Sequence, residues 1–416
     1  MDPAGTPLVP PRRPWRGRRA GLVGLLALLG LAAGLGMLGS GLAPPAARGR
    51  WDGALVLPAA PAVQAWPQFG GSATHQGAQA AGAPLQGRLA WTVHTGGPLI
   101  SSPVVGAGIV YAGSSDGFLY AVQARDGAVL WRAPLGPKLL NTTPVLAGGL
   151  LLVAADYTWM TALDSRTGQS IWRADQGDAI LAPPAADGEA GLGLVASGAS
   201  LLALDLRDGR RRWELQISDS RTPGWPSVGA PAVAAGMVFW APGVGSQLLA
   251  LDEATGATRW RFDAADRLAA SPVLGDGRLY LATWRGLVVA LDAATGGSQW
   301  QHTLGHGQPG EGSEATPALS ANRLFAGTYQ GTLYALDARS GADLWQFQAA
   351  GPIVASPVAS GSVVYCAAED GNLYMVDAAT GALRWKLPLG ELRSSPALAD
   401  GTLYLGTQKG DLVAIR

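Results

Sequence analysis

A thirteen-residue unit that ends in tryptophan recurs along this chain, and it limits the possible folds more than any other feature. The seven gap-free copies are LYAVQARDGAVLW (119–131), MTALDSRTGQSIW (160–172), LLALDLRDGRRRW (201–213), LLALDEATGATRW (248–260), VVALDAATGGSQW (288–300), LYALDARSGADLW (333–345) and LYMVDAATGALRW (373–385). An eighth copy, LVAIR, begins at Leu412 and is cut off at Arg416. Repeats of about 40 residues are supersecondary elements that bury their apolar faces against neighbouring copies.

Each repeat predicts four short strands. Within the thirteen residues, an apolar run precedes Asp-x-x-Thr-Gly and a second run follows it, as expected for a hairpin. The aspartate can accept backbone N–H groups, and the glycine can take the left-handed conformation. A proline and two further apolar runs precede each copy, as in SSPALADGTLYLGTQKG from Ser394. Four strands in each of eight repeats predict an all-β protein, an eight-bladed β-propeller.

The repeated tryptophans are expected to pack between neighbouring blades. A further tryptophan, Trp91, lies 40 residues before Trp131 in the isolated strand RLAWTVHTG. Since the eighth copy lacks an outer strand, we expect this amino-terminal strand to complete the last blade and close the ring. The predicted docking set is Trp91, Trp131, Trp172, Trp213, Trp260, Trp300, Trp345 and Trp385.

The amino terminus predicts a membrane segment. A basic region, residues 1–19, precedes residues 20–43, which form an uncharged apolar run. About 20 apolar residues span a bilayer, and flanking arginines stay in the cytoplasm. The run is therefore a transmembrane signal anchor or a cleaved signal peptide, and the propeller is expected outside the cytoplasm, at the membrane or secreted after cleavage. Residues 44–65 are a linker rich in Pro and Ala, and residues 66–416 are the propeller domain.

Charge and cysteine content exclude several functions. Residues 1–50 hold seven arginines and one aspartate, which leaves 23 basic and 29 acidic side chains in the remainder. A mildly acidic body offers no electrostatic surface for nucleic acid. The single cysteine, Cys366, lies in a predicted strand, where a small buried apolar role is expected. The four histidines show no metal-ligand spacing, and no catalytic or metal site is predicted.

The pattern Ala-x-Asp-x-x-Thr-Gly-x-x-x-Trp resembles the tryptophan-docking motif of quinoprotein propellers, over nearly all of residues 88–416. WPQFGGSATHQG (66–77) is similar to the stretch that leads into such propellers. The resemblance implies one of two branches. One contains dehydrogenases that bind pyrroloquinoline quinone (PQQ) and calcium in the central funnel; the other is non-enzymatic, with the assembly factor BamB as its best-known member.

The resemblance favours the non-enzymatic branch. The dehydrogenases present adjacent cysteines beneath the cofactor, whereas Cys366 stands alone. They also use a Glu and an Asn as calcium ligands, and of the three asparagines here only Asn141 precedes an inner strand. PQQ with calcium is therefore disfavoured, and the chain is not expected to be an enzyme.

Binding is expected on one face of the ring. We define the entering face as the loops that lead into the inner strands together with those joining the second and third strands; the Asp-x-x-Thr-Gly turns lie on the opposite, turn face. Long loops and exposed Trp, Tyr and Arg favour the entering face for protein binding. The candidates are Asn141, Tyr157, Trp159, Trp225, Arg267, Trp284, Arg285, Glu311, Glu314, Tyr329 and Arg393.

These features together predict a membrane-tethered, extracytoplasmic propeller, monomeric in itself, that is a non-catalytic scaffold for protein partners. The alternative is a PQQ-dependent dehydrogenase or a propeller that binds another small ligand.

Overall fold

The computed structural model describes residues 65–79, 84–136, 142–155, 157–217, 229–242, 246–268, 270–308, 311–312 and 314–416. The predicted basic region, membrane segment and linker up to residue 64 lie outside these ranges. Within the described ranges, no helix has the length and apolar character needed to cross a membrane.

Nearly all regular structure is β. A 3-10 turn, Phe69–Gly71, is followed by β1 (Ala78–Gln79) and β2 (Leu89–His94). The next sixteen strands are β3 (Val104–Gly106), β4 (Ile109–Gly113), β5 (Phe118–Gln123), β6 (Val129–Pro134), β7 (Val145–Ala147), β8 (Leu150–Ala155), β9 (Trp159–Asp164), β10 (Ser170–Asp175), β11 (Ala185–Asp187), β12 (Leu192–Ser197), β13 (Ser200–Asp205), β14 (Arg211–Gln216), β15 (Ala232–Ala234), β16 (Met237–Trp240), β17 (Gln247–Asp252) and β18 (Thr258–Asp263).

The last fifteen described strands are β19 (Val273–Gly275), β20 (Arg278–Ala282), β21 (Leu287–Asp292), β22 (Ser298–Thr303), β23 (Ala318–Ser320), β24 (Arg323–Gly327), β25 (Thr332–Asp337), β26 (Asp343–Gln348), β27 (Val358–Ser360), β28 (Val363–Ala367), β29 (Asn372–Asp377), β30 (Leu383–Pro388), β31 (Ala397–Ala399), β32 (Thr402–Gly406) and β33 (Asp411–Ile415).

These strands form the eight blades predicted from the repeat. Blades 1 to 7 are the consecutive antiparallel sets from β3–β6 to β27–β30, and blade 8 has the order β2-β33-β32-β31. In blade 8, β2 pairs antiparallel with β33, and Trp91 lies opposite Ala414. The strand around Trp91 is therefore the outer strand of this sheet.

The turn chemistry of the repeat is as predicted. In blade 5, the Asp292 carboxylate accepts the backbone N–H of Thr295 at 2.9 Å and its hydroxyl at 2.8 Å. Gly296 follows with φ +74°, which a side chain would disfavour. The outer strand β22 then pairs with β21, with a register shift between Ala290 and Leu291.

Each docking tryptophan packs on the turn of the next blade. Trp260 Nε1 donates to the Ala293 carbonyl at 3.2 Å, and its ring covers Gly296, where a Cβ would lie 2.6 Å away. Equivalent indole hydrogen bonds to the next turn are made by Trp91, Trp131, Trp172, Trp213, Trp300, Trp345 and Trp385. For Trp385 the acceptor is the Leu85 carbonyl and the covered glycine is Gly87, both in the segment that precedes β2.

Candidate functional site

The structure brings four of the predicted entering-face residues into one cluster on blades 5 and 6. The Trp284 and Tyr329 rings pack edge to face, with centroids 5.2 Å apart and planes at 60°. The Arg267 guanidinium lies 5.5 Å from the centroid of the Trp284 ring, within cation–π range. Tyr329 hydrogen-bonds to the Glu314 carboxylate. We call Arg267, Trp284, Glu314 and Tyr329 the aromatic cluster.

Backbone hydrogen bonds hold the loops of the aromatic cluster together across the two blades. Trp284 N–H donates to the Arg267 carbonyl at 2.9 Å, and Gly312 N–H donates to the Trp284 carbonyl at 3.0 Å. Tyr329 N–H completes the series by donating to the Gly312 carbonyl at 2.9 Å. A Cβ at Gly312 would lie against the Thr283 carbonyl, so this close approach requires glycine. The cluster is therefore fixed by its backbone before any partner binds.

The chemistry of the cluster is acidic and aromatic. Burial, and then the Glu314 carboxylate, raise the pKa of Tyr329 well above its usual range, so the phenol remains a donor at physiological pH. Asp266 accepts the backbone N–H of Arg267 and of Arg285, each at 2.8 Å. The Arg285 side chain itself is 59% exposed. This places a cation within reach of solvent beside the aromatic rings.

Arg393 extends the cluster towards blade 8. It forms ion pairs with Glu369 at 3.0 Å and with Glu391 at 3.6 Å. Burial raises the pKa of Glu369, although Arg393 opposes this effect. Glu369 also acts electrostatically on Tyr329, which connects the ion pairs to the aromatic cluster.

Glu311 has a local role. Its carboxylate accepts the backbone N–H of His306 at 2.7 Å and of Gln308 at 2.8 Å, and these bonds lower its pKa. The residue therefore shapes the long loop before blade 6.

Two other candidates lie on blade 2, apart from the aromatic cluster. Trp159 is half-buried as the first residue of β9, with the Arg173 guanidinium 4.4 Å from its ring centroid. Tyr157 has φ +64°, and its carbonyl accepts the Ile180 N–H from blade 3 at 2.7 Å. Asn141 and Trp225 lie outside the described residues.

Residues 65–79 follow the inner strands around the central channel, which sequence reasoning did not predict. The middle residue of each inner strand in blades 1 to 7 donates its N–H to this segment. The donor–acceptor pairs are Val105–Trp66, Leu146–Pro67, Ala186–Gln68 through the side-chain oxygen, Val233–Ala73, Leu274–Thr74, Leu319–Gln76 and Ala359–Gly77, at 2.7 to 3.2 Å. In blades 1 to 7 the inner strand has a free edge at the channel, and this segment accepts a hydrogen bond from that edge.

Both ends of this channel segment are on the turn-face side. Trp66 forms an antiparallel bridge with Val105, and β1 runs parallel to β27. Because inner strands run from the entering face to the turn face, Ala65 and Gln79 both lie towards the turn face. They are joined by a hydrogen bond of 3.1 Å from Gln79 Nε2 to the Ala65 carbonyl.

Ser and Thr hydroxyl groups next to the inner-strand prolines link neighbouring blades. The residue before the inner-strand proline donates its N–H to a Ser or Thr hydroxyl of the next blade. The pairs are Ala230–Ser271, Ser271–Thr316, Thr316–Ser356, Ser356–Ser395, Ser395–Ser102 and Ser102–Thr143, at 2.8 to 3.2 Å. Blade 3 has Pro183 at this position, which has neither a hydroxyl nor an N–H, so the series stops there.

The channel is tightly filled around His75. His75, 1% exposed, donates its Nδ1–H to the Pro272 carbonyl at 3.1 Å, and burial lowers its pKa to about 4. The void beside it, lined by Gly70, Thr316 and Ser356 among others, measures about 10 Å³. Ligand pockets typically measure ~300–1,000 Å³, whereas this void has room for about one water.

Potential metal and redox groups were compared among the described residues. Among the described residues, no group of three or more His, Cys, Asp or Glu side chains is placed to hold a metal ion. Cys366 is fully buried in β28, as predicted, and burial raises its pKa to about 12. A thiol in that environment stays protonated and unreactive.

A carboxyl pair, buried Glu253 with half-buried Asp187, joins blades 3 and 4 on the turn face and was not predicted from the sequence. Glu253, 7% exposed, hydrogen-bonds to Asp187, while its Oε1 atom has no partner among the described residues. Burial and the Asp187 charge raise the pKa of Glu253 to about 7. The sequence feature that could have indicated this pair is the glutamate itself: Glu253 directly follows the aspartate of its Asp-x-x-Thr-Gly turn, a position at which blades 5, 6 and 7 have alanine.

Comparison with known proteins identifies relatives of this architecture. A family model described as outer membrane protein assembly factor BamB matches residues 78–225, 223–310 and 284–416. BamB of Moranella endobia (strain PCIT) is 42% identical over 55 residues, which are 13% of this chain and 14% of that protein. The match therefore spans about a seventh of that relative's length.

Two solved structures share the fold. BamB from Moraxella catarrhalis has a TM-score of 0.67 and 18% identity, covering 79% of this chain and 96% of that chain. A quinohemoprotein alcohol dehydrogenase from Comamonas testosteroni has a TM-score of 0.74 and 15% identity, covering 84% and 80% of the two chains. At these identities the likeness shows the fold alone, for the enzyme as for the assembly factor.

Proposed function

The chain belongs to the family described as outer membrane protein assembly factor BamB, and from this premise we propose that it is a non-catalytic β-propeller that binds protein partners outside the cytoplasm. The family match covers most of residues 78–416, the part of the chain that forms the blades. Our proposal that one face of the propeller binds the partner depends on the aromatic cluster.

The aromatic cluster is the observation that supports a binding role. Its Trp, Tyr and Arg side chains are the types that contribute most to protein interfaces. The backbone bonds between Arg267, Trp284, Gly312 and Tyr329 fix the loops that carry these side chains, so little backbone entropy is lost on association. We therefore place the partner on the entering face of blades 5 and 6, next to Arg285 and the Arg393 ion pairs.

We propose that residues 20–43 tether the propeller to a membrane, with residues 1–19 in the cytoplasm. The long uncharged run after five arginines supports this placement. Cleavage after residue 43 would give a secreted propeller instead. We also propose that the pairing of β2 with β33 closes the ring, because it joins the two ends of the propeller in one sheet.

We propose that the chain works without PQQ and calcium. The channel segment and the small void at His75 are the observations that support this. Adding PQQ with calcium to the purified full chain should give no saturable binding. Saturable binding together with dye-linked alcohol or sugar oxidation would establish the dehydrogenase alternative.

The binding proposal is tested by capture from native membranes. We expect Trp284→Ala to reduce recovery of wild-type partners by about tenfold or more, as for a central interface residue. Trp159→Ala is the matched control, since it removes another half-buried tryptophan with its own arginine contact from blade 2. Equal recovery by wild type and Trp284→Ala would exclude the aromatic cluster as the binding site.

A further inference from the structure

Among the described residues, the contact between blades 3 and 4 lacks two links that most other blades have; we call this contact the blade 3–4 seam. The first is the hydroxyl series, which stops at blade 3 because Pro183 has neither a hydroxyl nor an N–H. The second is an aromatic residue of the second strand that packs on the docking tryptophan of the same blade. Such ring pairs, with centroids 5.7 to 6.1 Å apart, are Trp91–Tyr404, Trp131–Tyr111, Trp260–Phe239, Trp300–Tyr280, Trp345–Phe325 and Trp385–Tyr365. In blade 3 the corresponding residue is Leu194.

The carboxyl pair of Asp187 and Glu253 crosses this seam. Asp187 begins a hairpin loop of four residues, 188–191, whereas the same loop has two residues in the other seven blades. Its carboxylate accepts the backbone N–H of Glu189 at 2.8 Å and of Ala190 at 3.0 Å, which fixes it at the start of this longer loop. On the other side, Glu253 stands where the other complete repeats have Ala, Ser or Leu, and its carbonyl accepts the Trp213 indole N–H at 2.8 Å. Two departures from the repeat therefore meet at one seam.

The charged groups of the adjoining strands do not neutralise the carboxyl pair. Arg212 of β14 forms an ion pair with Asp205 at 2.8 Å. Arg259 of β18 forms an ion pair with Asp252 at 2.6 Å, and Asp252 adds a negative charge beside the pair. Glu189, in the longer loop, is exposed and also acidic. Neutralisation of the carboxyl pair therefore depends on a proton shared between its two members.

We propose that the blade 3–4 seam is a pH-responsive joint, closed while the carboxyl pair shares a proton and loosened once both of its groups are charged. Two carboxylates in contact repel each other, and burial strengthens the repulsion. Burial, and then the charge of Asp187, raise the pKa of Glu253 to about 7 from an ordinary 4.5, so the joint responds near neutral pH. As pH rises through this range, opening of the seam becomes more favourable by up to ~300-fold.

The seam between blades 2 and 3 shows what the carboxyl pair adds. It lacks the same two links, since Pro183 also ends the hydroxyl series there and Leu152 takes the aromatic position. At the position of Glu253, however, it has Leu206, which is fully buried and whose carbonyl accepts the Trp172 indole N–H at 2.8 Å. This seam has no titratable group at that position and should stay closed at every pH. The pH response is therefore assigned to the carboxyl pair and not to the missing links.

The test measures how fast buried thiols in the full chain react with a pyridyl disulfide, which also reacts in acid. Val238→Cys places a thiol in β16, where the native side chain is fully buried in the cluster between blades 3 and 4. The native Cys366 is fully buried in the cluster between blades 6 and 7 and reports on that seam in the same molecule. Rates at each site are measured at pH 5 and pH 8, with Glu253 and with Glu253→Gln. Because thiol reactivity is the same in both proteins at a given pH, the ratio of their rates reports the opening of the seam.

We expect the rate ratio at position 238, Glu253 over Glu253→Gln, to rise by at least about tenfold from pH 5 to pH 8. The ratio at Cys366 should stay constant. Ala185→Cys, fully buried on the blade 3 side of the same cluster, should behave like Val238→Cys, which guards against a local defect in either variant. An unchanged ratio at positions 238 and 185 would overturn the proposal. A parallel rise at Cys366 would overturn it as well, because the whole ring would then be opening.

Discussion

Replacing Glu253 by glutamine should stabilise the protein in alkaline solution. In the native structure the Glu253 carboxyl is buried against Asp187, and its pKa is raised to about 7 from an ordinary 4.5. The folded state therefore holds a proton over a pH range in which the unfolded chain has released it. Above pH 7 the folded state must either keep an unfavourable proton or bury two neighbouring negative charges.

The magnitude follows from the pKa difference. At about 1.4 kcal/mol per pH unit, the step from 4.5 to about 7 limits the loss of stability to about 3 kcal/mol. This loss begins as pH rises above 4.5 and is complete above pH 7. Glutamine keeps the shape and can still donate a hydrogen bond to Asp187, but it carries no charge. We expect Glu253→Gln to raise the free energy of unfolding at pH 8 by about 1–3 kcal/mol, and to change it little at pH 4.5.

Denaturant unfolding of both proteins at pH 4.5, 6 and 8 measures this effect. Glu189→Gln is the control, because Glu189 is an exposed carboxylate in the adjacent turn of blade 3. The control should leave the pH dependence unchanged. If Glu253→Gln is less stable than wild type at pH 8, or if its effect is the same at every pH, the reasoning on the carboxyl pair is wrong.

Three other predictions concern the channel and the blade junctions. Burial lowers the pKa of His75 to about 4, so the folded state resists protonation of this ring. The free energy of unfolding of wild type should therefore fall by up to about 3 kcal/mol as pH falls from 6.5 to 4. His75→Asn should reduce this loss in acid unfolding curves. Gly341→Ala should lower the free energy of unfolding by more than about 2 kcal/mol in denaturant unfolding, because its Cβ would lie 2.5 Å from the Trp300 ring. Gly277→Ala should lower it by about 1 kcal/mol, because Gly277 has φ +73° but no atom within 4 Å of the added Cβ. Ser356→Ala removes a buried acceptor of a backbone N–H and should cost about 1–3 kcal/mol in the same assay.

The blades were predictable because their interactions are local and repeated. Asp292, Thr295 and Gly296 form a turn whose hydrogen bonds lie within three residues, so the letters of the turn determine its geometry. The position of Trp260 relative to that turn then recurs in every repeat. The pairing of the strand around Trp91 with the last strand of the chain was also expected, because RLAWTVHTG stands apart from the other repeats.

The channel segment was not predictable because its bonds are long-range. The resemblance of residues 66–77 to the stretch that leads into quinoprotein propellers did not indicate where in the fold the segment lies. Its hydrogen-bond partners lie roughly 40 to 280 residues away along the chain, as Trp66 with Val105 and Gly77 with Ala359. A single segment that contacts seven blades in turn has no sequence periodicity by which it could be recognised. The burial of His75 follows from that path alone.

The candidate site was predictable in part. Trp284, Tyr329 and Arg267 were recognised because they lie outside the docking register on a face with long loops, and adjacent blades bring them together. The sequence did not reveal that the Glu311 carboxylate binds its own loop, nor that the Arg173 guanidinium lies over the Trp159 ring. Such distinctions depend on where each loop folds back, which residue types alone do not specify.

Site-specific photo-cross-linking tests the binding role of the entering face most directly. A photoreactive residue replaces Arg285, which is exposed beside the aromatic cluster, or Ala294, which is exposed on the turn face of the same blade. After irradiation in native membranes, we predict a discrete protein adduct from position 285 that is absent from position 294. Adducts of equal yield from both positions, or an adduct from position 294 alone, would contradict the account.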